Sequence, residues 1–245
     1  MEEPKLKKLA DDQLATFDTD YVGGQRWDSL KAFMDAHFAD RPVRVLDIGG
    51  GNGVFADKLL EAFPHASVTV LDNAEVLLDQ NKPNPRKRLL LSSVEDVSQQ
   101  LNGELYDLIT INWVLHHLVQ DGYQPTADGV TETLVTLQEN LAPNGMLSIF
   151  ENLYDGALVD GLPSKAIFHL TSLQIAALAP LFRRLGANTA GVGVCFRSDK
   201  QWKQIFDASG LSLESETFCD NLQVSPIKRM ALLLKPIRVV HYGLS

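Results

Sequence analysis

The sequence is poor in cysteine and in positive charge. Two cysteines, Cys195 and Cys219, stand among 245 residues, and 22 lysines and arginines face 31 aspartates and glutamates. One cysteine pair makes no disulfide framework in a chain of this length, so both read as reduced thiols of a cytoplasmic protein. A formal net charge of -9 repels polyphosphates at long range and leaves no broad basic face, which argues against DNA or RNA as a substrate. No apolar run reaches the length needed to cross a bilayer, and "MEEPKLKKLADDQ" has no apolar core of signal-peptide length. Solenoid-period repeats and low-complexity tracts are missing as well. These absences leave a folded protein with neither nucleic acid nor membrane as partner.

What is present has a rhythm. "QRWDSLKAFMDAHF" places Trp27, Leu30, Phe33, Met34 and Phe38 at helical spacing, which predicts a helix from Gln25 to Phe38. After Pro42, "RPVRVLDI" reads as a strand, and past a cluster of glycines Phe55, Leu59 and Phe63 mark one helix face that stops near Pro64. The unit then recurs: strand "SVTVLD" with helix "NAEVLLDQN", strand "RLLLS" with helix "VEDVSQQL", strand "YDLITIN" with helix "DGVTETLVTLQENL", then strand "GMLSIFEN". Nearly continuous apolar strands alternating with amphipathic helices predict a doubly wound α/β fold, a parallel sheet with helices on both faces. From Leu153 to Gly193 the rhythm breaks into an apolar helical insertion. It resumes at "SDKQWKQIFDASG", where Ser198 and Gln201 fit a capping box and Gly210 a stop. Two strand-like runs, "LSLESETF" and "KRMALLLKP", end the reading, the first alternating as at a sheet edge. The expected division is an N-terminal helical lid (1–41), a cofactor-binding core (42–152), a helical insertion (153–195) and a C-terminal part of the core sheet (196–245).

The stretch "VRVLDIGGGNGVFA" carries the chemistry. A strand that stops in glycines and restarts as a helix offers backbone N–H groups to a ligand with no Cβ in the way. Read as Gly51-x-Gly53-x-x-Ala56, it satisfies a dinucleotide fingerprint with a pyrophosphate at the helix start. Read as Asp47-x-Gly49-x-Gly51-x-Gly53, it sets an acid two residues before the first glycine, which suits a cofactor that is positive there. Asp72, ending the next strand, can accept both hydroxyls of a ribose in either case. Packing alone offers a second account: the glycines let the helix sit close to the strand, and Asp72 caps the helix after it.

With "VLDIGGGNG", "VLDN", "YDLITINWVLHHL" and "LAPNGMLSIFE" at these separations, the segment from Pro42 to about Asn152 resembles the class I S-adenosylmethionine-dependent methyltransferases. The resemblance implies a Rossmann-like sheet of seven strands, the last antiparallel, with S-adenosylmethionine across the C-terminal strand ends. It places Gly49, Gly51 and Gly53 by the methionine portion, Asp47 at its amino group, Asp72 on the ribose and Asn73 beside the adenine, with Asn112 on the same side. One departure stands out: where the family often carries an acid for the adenine amino group, this chain has Ser92-Ser93-Val94, then Glu95. Ser93 or Glu95 substitutes there, with the Val94 N–H on the ring.

Methyl transfer from a sulfonium is an in-line displacement that asks mainly for alignment and a dry pocket. A base is needed only when the acceptor must lose a proton. His116 and His117 are the candidates, His117 as the acceptor-side residue, against the alternative that the pair caps carbonyls or fills space; adjacent histidines make a poor metal site, and none is expected. Glu151 is a candidate to orient a polar acceptor group. The segment "FDTDYVGGQRW", hinged at Gly23-Gly24, reads as a lid. In it Arg26 either meets the cofactor carboxylate or is an exposed helix-start residue, and Tyr21 borders the acceptor. Trp113, Phe168, His169, Leu173 and Phe182 either wall the acceptor pocket or serve as core or a subunit contact. The reading is a methyltransferase, releasing S-adenosylhomocysteine, that acts on N or O of a small metabolite, aromatic and heterocyclic ones included, of the kind that tailors natural products. Its partner is the small-molecule acceptor, and a homodimer is left open. The rivals are an NAD-dependent oxidoreductase and a non-catalytic cofactor-binding protein.

Overall fold

The computed structural model describes residues 22–39, 41–172 and 193–245. Tyr21 and the lid segment before it, and Leu173 and Phe182 of the insertion, lie outside the described residues. Helix α1 (Gln25–His37) leads to β1 (Val43–Ile48), α2 (Val54–Ala62), β2 (Ala66–Asp72), α3 (Glu75–Leu78), β3 (Lys87–Leu91), α4 (Val97–Leu101), β4 (Tyr106–Asn112), α5 (Tyr123–Gln138) and β5 (Leu141–Leu153). Then come α6 (Leu162–Ser172), α7 (Asp199–Ala208), β6 (Leu213–Asn221), α8 (Pro226–Ala231) and β7 (Arg238–Leu244). The seven strands lie in the order β3-β2-β1-β4-β5-β7-β6. Neighbours among β1 to β5 are parallel, and β7 runs antiparallel to both β5 and β6.

The inner strands read as nearly continuous apolar runs because both sheet faces are covered there. On one face Leu46, Ile48, Ile109 and Ile149 pack with Leu134 and Leu137 of α5 and Trp202 and Phe206 of α7. On the other, Val45, Val68, Val70 and Phe150 pack with Leu30, Phe33 and Met34 of α1 and Leu59 and Leu60 of α2. The helical stripe expected on α1 is thus the stripe that is buried. At α7 the capping box is formed in full, the Gln201 N–H donating to Ser198 Oγ and the Ser198 N–H to Gln201 Oε1.

Three boundaries differ from the expectation. "KRMALLLKP" is no strand: Pro226 opens the short helix α8, and Leu233 then takes a left-handed turn (φ 52°). Pro at a helix start costs no hydrogen bond, and an apolar run without alternation does not define a strand face. The last strand is the neighbouring "RVVHYGL", buried between β5 and β6. The helix expected over "NAEVLLDQN" contracts to the single turn of α3. Helix α5 begins at Tyr123, ahead of the expected "DGVTETLV", with Pro125 tolerated in its first turn.

A buried relay ties α1 to the sheet. His241 on β7 bonds Ser29 Oγ through Nδ1 (2.8 Å) and Ser148 Oγ through Nε2 (2.9 Å), and its ring lies flat on Phe150 at 4.3 Å. Burial pushes this imidazole down to about 3. Because the folded pKa is below the unfolded one, the stability of the neutral ring is complete above about pH 6.5 and is lost as the pH falls toward 3. The stability difference between wild type and His241→Gln should therefore be about 2 kcal/mol smaller at pH 5 than at pH 7, at roughly 1.4 kcal/mol per pH unit below 6.5. Urea unfolding of both proteins at the two pH values checks this; an unchanged difference would mean that His241 titrates alike in both states.

Candidate functional site

The C-terminal ends of β1 to β5 lie side by side, and the expected site residues sit on them. At β1, Asp47 is 1% exposed; Thr110 Oγ1 on β4 donates to its Oδ1 (2.9 Å), while Oδ2 is buried with no hydrogen-bond partner. Burial, and secondarily the nearby Asp72 charge, push this carboxyl up to about 7, against the Thr110 bond that holds it down. A Cβ on Gly50 would collide with Asp47 Oδ2, and one on Gly53 with Asn81 Oδ1. With Gly49, where a Cβ would meet Val114 Cγ2, three of the glycines are thus small for internal reasons, and one of those reasons is to make room for the acid. Gly51 is different. Its φ is 51°, and a Cβ there would meet only ordinary contacts, Leu77 Cδ1 at 3.5 Å and Asp72 Oδ2 at 3.8 Å, so backbone conformation and not crowding selects glycine.

Asp72 joins the turn to β2. The Gly51 N–H donates to Oδ2 (2.9 Å) and the Ala74 N–H to Oδ1 (2.8 Å). Burial raises its pKa, offset in part by those backbone donors. Through these two bonds Asp72 organises the start of α3 and ties it to the glycine turn. Asn73 beside it is exposed; Ser93, at the end of β3, donates to Asp96 Oδ2 (3.0 Å), and Val94 is buried. Asn112 ends β4 with Oδ1 buried and unpartnered.

Past β4 the chain turns sharply. Trp113 has a φ of 56°, a conformation that persists for a bulky residue only where surroundings impose it. Its indole donates to Asn152 Oδ1 (3.1 Å) and stacks on Phe150 at 5.3 Å. The next turn of 3-10 helix, Leu115–His117, separates the two histidines. His116 is buried and bonds Glu151 Oε2 through Nδ1 (2.7 Å), and its backbone N–H reaches Glu151 Oε1 (3.4 Å). Glu151 is 0% exposed. His117 lies against the His116 ring at 4.2 Å, and burial, with the neighbouring imidazole, holds its pKa well below the usual histidine value. The carboxylate expected to orient an acceptor is therefore joined to a histidine, and that histidine is His116.

Other expected residues have other occupations. The Arg26 guanidinium pairs with Asp220 through Nε (3.1 Å) and Nη2 (3.2 Å) and lies over the Trp113 ring at 5.2 Å. Phe168 is buried against Tyr123 (5.5 Å) and Cys195, whereas His169, the next residue on α6, is exposed. Two rings escaped the sequence reading: Phe196 packs on His116 (4.6 Å) and stacks on Tyr154 (4.2 Å). The apolar triplet "VCF" is the one signal for Phe196, and Tyr154 follows directly on β5.

The turn fits a cofactor that is positive where it meets Asp47 and fits a pyrophosphate poorly. An unpartnered buried carboxylate oxygen calls for a cation or donor, and a second acid, Asp72, stands beside it. Among the described residues no group of three or more His, Cys, Asp and Glu side chains could hold a metal ion, and no helix is long and apolar enough to cross a membrane.

Residues 46–147 match the family model described as "Methyltransferase domain". Over 105 residues the chain is 28% identical to the malonyl-[acyl-carrier protein] O-methyltransferase of Bacillus cytotoxicus, which covers 43% of this chain and 34% of that protein. The matched segments span between 34% and 55% of the length of the curated relatives. Among solved structures, an S-adenosylmethionine-dependent methyltransferase from Leishmania major superposes with a TM-score of 0.62 at 18% identity, covering 94% of this chain and 76% of that one. The plantazolicin methyltransferase, solved with a desmethyl analogue and S-adenosylhomocysteine, gives 0.59 at 14% identity, covering 95% and 88%. At such identities the superpositions show a shared fold.

Proposed function

Residues 46–147 are a class I S-adenosylmethionine-dependent methyltransferase domain, and from that premise we propose that the protein transfers a methyl group to a hydroxyl oxygen of a small acceptor. The observation that carries the proposal is the buried pair of His116, in the turn after β4, and Glu151, near the end of β5, 2.7 Å apart. With Nδ1 held by Glu151, Nε2 is the ring nitrogen left to take a proton. A hydroxyl needs such a base and many ring nitrogens do not. The curated relatives are named as O-methyltransferases, which favours oxygen over nitrogen.

When bound, S-adenosylmethionine supplies an electrophilic methyl on a sulfonium. The chain supplies everything else. Asp47 Oδ2 would accept from the cofactor's amino group, Asp72 from its ribose hydroxyls, and the backbone of Gly49, Gly51 and Gly53 would border its methionine portion. Asn73, Ser93 and Val94 stand where the adenine would be, and Asn112 faces the same groove. Trp113 and Phe196 close the acceptor side against water, His116 takes the hydroxyl proton, and Glu151 holds the ring. Incubation with labelled methyl donor and a panel of phenols and alcohols tests the reading. Label transferred to oxygen supports it; S-adenosylhomocysteine binding without turnover across the panel would indicate a non-catalytic binder.

The site also predicts a pH dependence. Asp47 without cofactor titrates at about 7, whereas a bound ammonium holds it ionised. Binding below pH 7 must then expel a proton, so S-adenosylhomocysteine affinity should fall by up to about tenfold per unit between pH 7 and 5, and Asp47→Asn should flatten the curve. Calorimetry in two buffers of different ionisation enthalpy reads the released proton directly. A pH-independent affinity would remove Asp47 from the amino group.

A further inference from the structure

Arg197 is 2% exposed, and its Nε and Nη2 are buried without a hydrogen-bond partner. Its guanidinium is held between two rings, 5.6 Å from the centre of Tyr123 and 5.7 Å from that of Trp202. The nearby carboxylates are already engaged. Glu151 is bonded to His116, Asp155 to Arg238 and the Asp199 N–H, Asp160 to Ser198, and Asp199 to Tyr242 and Lys203. A buried cation whose donors meet nothing is costly, and such groups are found paired when structures are complete. The two free nitrogens are adjacent on one edge of the guanidinium, the edge that binds a planar carboxylate two-pronged. Arg26 uses the same two atoms to hold Asp220 in this protein.

The position has a direction. Arg197 follows Phe196, which packs on His116, and the Cys195 N–H donates to the His116 carbonyl (2.9 Å). Tyr123 bonds Ser164 of α6 (2.7 Å) and packs on Phe168, so the guanidinium lies where the insertion meets the strand ends. Lys165 Nζ, 5.7 Å from the Tyr123 ring, adds a second cation to the same spot of an otherwise acidic chain.

We propose that Arg197 binds a carboxylate of the methyl acceptor, so that the substrate is a hydroxy acid held by its acid group while its hydroxyl faces His116. This deepens the methyl-transfer reading and rests on it. The experiment titrates the protein, saturated with S-adenosylhomocysteine, with a panel of hydroxy acids headed by 4-hydroxybenzoate, each matched with its amide and with inorganic phosphate alongside. At least one acid should bind about 10- to 100-fold more tightly than its amide, and Arg197→Met should erase that preference while leaving S-adenosylhomocysteine affinity within twofold. Arg197→Lys, which keeps the charge and loses the fork, should retain part of it and serves if the methionine variant does not fold. Acids binding no better than amides, a preference that survives in both variants, or phosphate outcompeting every acid would each overturn the proposal. Failure of S-adenosylhomocysteine to bind would instead remove the cofactor reading, and the comparison of acid with amide would still report on Arg197.

Discussion

His116→Gln should lower kcat by about 10²- to 10⁴-fold, the range lost with a positioned general base, while the affinity for S-adenosylhomocysteine stays within twofold. His117→Gln, one residue on, should cost less than tenfold, because it is the His116 ring that Glu151 holds, at 2.7 Å. Glu151→Gln should fall between the two, lowering kcat with little change in KM, as expected of a positioning residue. The decisive readout is the acceptor. A hydroxyl already ionised at the assay pH has no proton to give, so the His116→Gln defect should shrink to under about tenfold with such an acceptor. A defect equally large for ionised and un-ionised hydroxyls would reduce the pair to a structural contact.

The second large effect concerns the turn. Gly51→Val places a β-branched side chain at φ 51° and fills the surface on which a cofactor would rest. We expect S-adenosylhomocysteine affinity to fall at least about 100-fold, against a stability loss of roughly 1–2 kcal/mol for the left-handed residue. Gly103 is the control, since its φ is 78° and a Cβ there would meet nothing within 4 Å. Gly103→Val should carry a similar stability loss and leave binding intact. Equal binding by both variants would detach the turn from the cofactor. Asp72→Ala should also abolish binding, but it orphans the N–H groups of Gly51 and Ala74, so its effect on melting should exceed that of an ordinary surface change.

Much of this architecture was readable beforehand, for a physical reason. The strands β1, β2 and β4 are largely buried on both faces, so their residues are nearly all apolar, and the glycines and Asp47 stand where the period changes. The final strand was missed because "KRMALLLKP" is the more apolar run, while "RVVHYGL" carries a polar His241 that the Ser29 and Ser148 hydroxyls make tolerable in a buried strand. Of the two histidines His117 is the one expected on the acceptor side, whereas one turn of 3-10 helix puts the His116 ring on Glu151. Arg26 was read from its place near the lid, and its partner Asp220 comes from a strand 194 residues away. Arg197 gave no local sign at all: the rings of Tyr123 and Trp202 that bury it come from two different helices.

The sheet order has a consequence for how the molecule is made. Strand β7 is wedged between β5 and β6, and among the described residues no other strand joins them. While the polypeptide emerges from the ribosome, β1 to β5 can zip together in turn, but β6 must wait without a partner and the flank of β5 must stay bare until residues 238–244 arrive. Such an interval exposes an unpaired strand edge, the usual starting point of mispairing between nascent copies. The antiparallel pairing that completes the sheet therefore has to wait for the last of its strands to be synthesised.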